Sequence, residues 1–162
     1  MSPVPACTLY DGNCYDFAQS VGHQLFHLLA MVRREVDLRM AEHGLTDAQW
    51  KPLLMLKNGR AATAFELARE MAVDAGAVTR MVDRLQSKGL VERVRSASDR
   101  RVIHLRLTLA GEEAVQHVPH VLAAVNNDFL RGFNEEEWKQ LRQLIERMAA
   151  NGHALQAERA AA

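Results

Sequence analysis

The chain has 162 residues, 48% of them hydrophobic and 25% charged, with 20 basic and 20 acidic side chains and no formal net charge. That composition suits one compact domain with helical extensions. It holds no run of about 18 apolar residues to span a membrane, and Cys7 and Cys14 are too few for a disulfide framework.

In chain order, residues 1–14 carry Pro3, Pro5, Asp11, Gly12 and Asn13 and read as an irregular arm. The arm lacks a basic stretch followed by an apolar one, so secretion is not expected and the cytoplasm is the default location. From Tyr15 the pattern becomes helical: Phe17, Val21, Leu25, Leu28, Val32, Val36 and Met40 step by three or four, and Gly44 stops the run. Such a helix exceeds what a small domain needs and is expected to bury its stripe on another subunit. Thr46 with Gln49 three residues later reads as a capping box, opening a helix through Trp50, Leu53, Leu54 and Leu56, with Pro52 expected to bend it. Thr63 with Glu66 is a second capping box, for a short helix containing Leu67, Ala68 and Met71.

About three residues later Asp74 can cap another helix, in which Val78, Val82 and Leu85 form the apolar stripe and after which Gly89 is a stop signal. Two helices joined so tightly, the second with a basic exposed side, predict a helix-turn-helix. Residues 90–94 alternate apolar and polar, as do Ile103, Leu105 and Leu107 with His104 and Arg106 between them. The loop between them, residues 95–101, is short, polar and basic, so a β-hairpin with a charged tip is expected. Thr108 can cap a further helix carrying Val115, Val118, Leu122, Val125, Phe129 and Phe133, with a kink at Pro119. Asn134 and Glu137 open the last one, with Trp138, Leu141, Ile145 and Met148 as its stripe and an Ala-rich end, residues 151–162, expected to fray.

Charge is concentrated in the middle of the chain. Residues 74–108 hold eight Arg and Lys against four Asp and Glu, a local net of +4, so the rest of the chain carries −4. A patch of that kind favours approach to phosphates by counterion release. The helix begins with Ala75, Gly76 and Ala77, small enough to let its end sit close to base edges or phosphates. Thr79, Arg80 and Arg84 follow on the exposed side, and the helix N-terminus adds a partial positive charge.

These residues, in this order, resemble the MarR family of winged-helix transcriptional regulators over about residues 16–150. The resemblance rests on residues 44–50, on Glu66, Leu67 and Ala68, on residues 78–85 and 88–91, on Asp99, Arg100 and Arg101, and on Leu107, Thr108 and Gly111. It implies a mainly α fold with a small β-hairpin wing. Residues 45–108 would form the DNA-binding lobe, and residues 15–44 and 109–150 the helical dimerisation region of a homodimer. It further implies a recognition helix at residues 74–88, with Ala75, Gly76, Ala77, Thr79, Arg80 and Arg84 near bases and phosphates. In the wing, Asp99 would pair with Arg101 and stiffen the loop. Arg101 would enter the minor groove, with Arg100 on phosphate and Arg95 at the wing's base. The function so implied is a sequence-specific DNA-binding regulator, a repressor released from a pseudo-palindromic operator by a small effector such as an aromatic acid.

The remaining candidates are weighed on their own residues. His23 and His27 stand one turn apart, but a zinc site needs three or four ligands and none completes this one; no metal or other cofactor is expected. Both histidines, with Trp50 as an aromatic wall, are instead candidates for the effector pocket, which in the family lies between the first and second helices. Cys14 offers an alternative, a cysteine-based redox-sensing regulator, although no neighbouring positive charge favours its thiolate. An enzyme is not expected, since Ser87, Ser96 and Ser98 lack a nucleophile-elbow setting.

Overall fold

The structure is a computed structural model that describes residues 9–99 and 101–161, so Cys7 and Arg100 lie outside the described residues. Among the described residues seven α-helices and one hairpin follow in order: α1 (Val21–Glu42), α2 (Asp47–Lys57), α3 (Ala64–Met71), α4 (Ala75–Ser87), β1 (Val91–Arg95), β2 (Ile103–Leu107), α5 (Leu109–Val115), α6 (Val118–Phe129) and α7 (Glu135–Ala161). The mainly α class with a two-stranded antiparallel wing is therefore the observed one. Among the described residues no helix is long and apolar enough to cross a membrane.

Local chemistry sets most of the boundaries. Gln49 Oε1 accepts from both the Thr46 amide and the Thr46 hydroxyl at 3.0 Å, which opens α2. At α3, Thr63 Oγ1 accepts from the Glu66 amide while Glu66 Oε2 accepts from the Thr63 and Ala62 amides. The Ala62 amide, helped by the Thr63 groups and the Arg69 charge, holds the Glu66 carboxyl below its ordinary range against an opposing effect of desolvation. Asp74 caps α4 through the Ala77 amide at 2.8 Å. Gly89 (φ +68°) closes it: the Leu90 amide returns to the Leu85 carbonyl and the Gly89 amide to that of Gln86, the paired bonds of a Schellman motif. Pro52 lies within α2, which stays one continuous helix with Pro52 buried in the core.

Three expectations are corrected. The first long helix begins at Val21, not Tyr15. Before it, Asp16 Oδ1 accepts from the Ala18 and Gln19 amides, and Ser20 Oγ accepts from His23; these local bonds compete with helix and win. Phe17 therefore lies outside α1 and is exposed, and within the expected arm Gly12–Cys14 form a 3-10 turn capped by Asp11. After the hairpin there are two helices, α5 and α6, parted at Gln116 and His117, so the break comes just before Pro119. Proline then sits in the first turn of α6, where a missing N–H costs nothing. Finally, α7 does not end near residue 150 but continues to Ala161. Alanine is the best helix former, Gly152 costs only about 1 kcal/mol, and Arg159 suits the negative end.

Two compact units make up the chain, one ending at Val125 and one beginning at Asn126. The first unit holds a single core. Met40 of α1, Trp50 and Leu53 of α2, Leu67 of α3, and Val78, Val82 and Leu85 of α4 join Val91, Leu105, Val115, Val118, Val121 and Val125 in it. The hairpin pairs Val91 with Leu107, Arg93 with Leu105 and Arg95 with Ile103. Its β2 strand is fastened to the lobe where the Leu105 amide donates to the Ala62 carbonyl at 2.7 Å. Its root is fastened at Thr108, whose hydroxyl donates to the Gly89 carbonyl and accepts from the Gly111 amide. In the second unit, Asn134 and Glu137 cap α7 reciprocally, each side chain accepting the other's amide at 2.9 Å.

The long helices leave much of their apolar surface uncovered. Only Val36 and Met40 of α1 are buried, and no residue of α7 is. Leu25, Phe26, Leu28, Leu29 and Met31 are exposed on α1, as are Trp138, Leu144, Ile145 and Met148 on α7.

Gly111 shows why the motif around Thr108 requires that residue. A Cβ there would overlap the Leu90 carbonyl, a backbone atom that cannot swing aside. Gly111→Ala should destabilise the lobe by about 1–3 kcal/mol, the usual effect of overpacking. Urea unfolding checks this; an unchanged midpoint would mean α5 does not approach the wing root this closely.

Candidate nucleic-acid interface

Burial of one face of α4 determines what the other face offers. Val78, Val82 and Leu85 are at most 1% exposed. Since residues 3.6 apart share a side, Ala75, Gly76, Thr79, Arg80 and Arg84 come out exposed, with Ala77 half-buried. Gly76 leaves open the space between the Asp74 carboxylate and the Arg80 guanidinium: a Cβ would stand 3.1 Å from Asp74 Oδ1 and 3.6 Å from Arg80 Nη1. The Thr79 hydroxyl donates back to the Ala75 carbonyl at 2.9 Å and keeps its acceptor lone pairs.

The hairpin tip is built by short-range bonds. Ser96 N donates to the Val102 carbonyl, Val102 N to the Asp99 carbonyl, and Asp99 N to Ser96 Oγ. Asp99 does meet Arg101, but through the main chain: its Oδ1 accepts from the Arg101 amide at 2.9 Å. The expected pairing thus stiffens the loop while leaving the Arg101 guanidinium outward. Among the described residues Arg80, Arg84, Arg95 and Arg101 form no ion pair, whereas Arg93 does, with Asp83. Four unpaired guanidinium groups on one helix and one wing form a cationic surface suited to polyanion phosphates.

This fold and charge layout can be set beside known proteins. The sequence profile of the MarR family matches residues 45–103, the span from α2 through β1 to the start of β2. The transcriptional regulator PA3341 is 34% identical, with 83% of this chain and 99% of that chain covered and a TM-score of 0.74. The chain belongs to the MarR family. As a MarR-family chain it is also similar to YusO of Bacillus subtilis (32% identity, 80% and 92% covered, TM-score 0.60). A mutant MarR from E. coli complexed with operator DNA is 25% identical, with 83% and 99% covered and a TM-score of 0.72.

The effector candidates are not brought together. Trp50 is buried, and its indole N–H has no hydrogen-bond partner among the described residues. It lines a groove of about 380 Å³ between α1 and α2, with Leu29, Val32, Arg33, Lys51 and Leu122 among the other walls. His23 and His27 are not among these walls. They stand in the first two turns of α1, 4.3 Å apart edge to face, with His23 against Phe17. The cations lining this groove are Lys51, 5.4 Å over the Trp50 ring, and Arg33; both also reach Asp47, at 2.7 Å and 3.8 Å, and Asp37 lines the groove as well. Sequence periodicity could not single out Arg33 and Lys51, because each reads as an ordinary surface charge until α1 and α2 are packed together. Cys14 is exposed at the end of the 3-10 turn, and no basic side chain among the described residues is bonded to it. Nor do three His, Cys, Asp or Glu side chains cluster for a metal among the described residues.

Proposed function

We propose that this MarR-family protein is a sequence-specific, double-strand DNA-binding transcriptional repressor that acts as a homodimer and is released from its operator by a small effector. The observation that carries this reading is the unpaired basic surface of α4 and the wing, held on a rigid core. In it, α4 enters a major groove with Ala75, Gly76, Ala77 and Thr79 closest to the bases, and Arg80 and Arg84 reach bases or phosphates. Arg95 binds at the wing's base, Arg100 takes a phosphate, and Arg101 reaches the minor groove, where a narrow A·T-rich tract concentrates negative potential. The exposed leucines and aromatics of α1 and α7 support self-association, since apolar surface on that scale marks an interface. Two lobes related by a two-fold axis require a pseudo-palindromic operator with half-sites roughly 34 Å apart.

Arg101→Ala should weaken operator binding by about 1–3 kcal/mol, the usual effect of losing a groove-reading arginine. The dimer, checked by light scattering, should persist, because α1 and α7 are untouched. A fluorescence-anisotropy titration at fixed salt that gives the same affinity for variant and native protein would remove the wing from the interface.

The effector in this reading occupies the groove beside Trp50. A planar aromatic carboxylate suits it: apolar walls for the ring, and Arg33 and Lys51, which the ligand's carboxylate would take over from Asp47, for the charge. Bound there, between the long first helix and the DNA-binding lobe, it would favour one lobe arrangement by its differential affinity. His23 and His27 then have no direct part in binding. A thermal-shift screen of aromatic carboxylates should yield a ligand that stabilises the protein by mass action. Arg33→Ala should weaken that ligand about tenfold, equivalent to 1.4 kcal/mol, while His23→Ala leaves it unchanged. The opposite pattern in a calorimetric titration would move the pocket to the histidines.

A further inference from the structure

Among the described residues, Arg93 is the one arginine of the hairpin region whose charge is engaged inside the protein. It lies on β1 opposite Leu105. Its Nη1 donates to Gln86 Oε1 at 2.6 Å and its Nη2 to Asp83 Oδ1 at 2.7 Å. Asp83 and Gln86 are three residues apart on α4 and so share a side of that helix. Among the described residues no other side-chain hydrogen bond joins α4 to the hairpin. The base of the hairpin is also held by burial of Val91 and Leu105 in the core and by main-chain or cap bonds at the Ala62–Leu105 junction and the Thr108 root, but all of these lie at or below the level of Arg93 and leave the tip beyond them.

We propose that Arg93 is a positioning residue for DNA binding: its two-pronged bond to Asp83 and Gln86 fixes the angle between the wing and α4, so that Arg101 and the α4 arginines meet one duplex together. The inference rests on the reading of α4 and the wing as the DNA interface. The fork of a guanidinium is suited to this, because two parallel bonds fix orientation as well as distance. At about 3.3 Å per residue the strand runs roughly 7 Å past Arg93 before the tip turns back, so a swing of about 10° would carry the tip by on the order of 1–2 Å, enough to spoil a hydrogen bond. The same bond also occupies Asp83, the only carboxylate inside α4, beside Arg84. Left unpaired, that carboxylate would repel phosphates at the helix surface.

A positioning arginine and an arginine that touches DNA itself predict different couplings. Duplex affinity is measured by anisotropy at fixed salt for native protein, R93A, R101A and the double variant, with thermal unfolding recorded for each. Positioning predicts that R101A weakens binding about tenfold in the native background and less than threefold in the R93A background, because the wing is already out of place. An R101A factor that is equal in both backgrounds overturns the proposal. If R93A does not fold, D83A with Q86A removes the same clamp from the other side and leaves Arg93 in place. Positioning predicts that this variant also binds more weakly and also shrinks the R101A factor. Tighter binding with an undiminished R101A factor would mean that a freed Arg93 simply adds a phosphate contact, and would overturn the proposal. An R101A variant with native affinity in the native background is a separate failure: it removes the wing reading, and this inference with it.

Discussion

The rotation of α4 about its own axis is the constraint on which the rest of the molecule depends. Val78, Val82 and Leu85 fix it by being almost fully buried against Leu53, Leu67 and Val91 in one core. Burying each such side chain contributes about 1.5–3 kcal/mol, whereas an exposed charge pair contributes about 0–1 kcal/mol. The core therefore decides which way α4 faces, and the arginines accept the direction that remains. That ordering explains how a surface can hold several guanidinium groups without partners: their self-repulsion is small beside the packing that holds the helix.

The wing is a second, weaker device. Its strands are five residues each, a hairpin too small to be stable alone. It persists because Val91 and Leu105 are buried in the core and because it is fastened at three places of different chemistry: the Leu105 amide on Ala62, the Thr108–Gly111 cap under the Leu90 carbonyl, and the Arg93 fork on α4. Glu66 links the first of these to α3, since the same residue, Ala62, donates its amide to Glu66 and lends its carbonyl to Leu105. The helix α4 and the wing are thus coupled through short, directional bonds laid over an apolar base.

What could be read in the sequence was what local chemistry dictates. The boxes at Thr46 and Thr63, the caps at Asp74 and Thr108, the stop at Gly89 and the alternation of Ile103, Leu105 and Leu107 each act within a few residues, and each is found where expected. The exposed set Thr79, Arg80 and Arg84 followed from the same periodicity. Misjudged boundaries came from competition between two local preferences. At Asp16 and Ser20 side-chain bonds displaced helix, and at the far end alanine propensity outweighed Gly152. Features that arise from distant segments had no signal at all. The Arg93 fork spans ten residues to Asp83, and the Trp50 groove needs α1 against α2 before Arg33 and Lys51 acquire meaning. Asp99 lay between: its partner residue was legible, but the partner atom, an amide rather than a guanidinium, was not.

Hydroxyl-radical footprinting on a duplex selected from a randomised pool tests the joint action of α4 and the wing most directly. The radical reports backbone accessibility in the minor groove, where Arg101 is assigned. Native protein should protect two symmetric blocks, and Arg101→Ala should lose the minor-groove protection while retaining the rest of the footprint. Arg84→Ala should instead weaken the whole footprint evenly. A footprint from native protein that is unchanged by either substitution would contradict the account, because the duplex would then be held by some surface other than α4 and the wing.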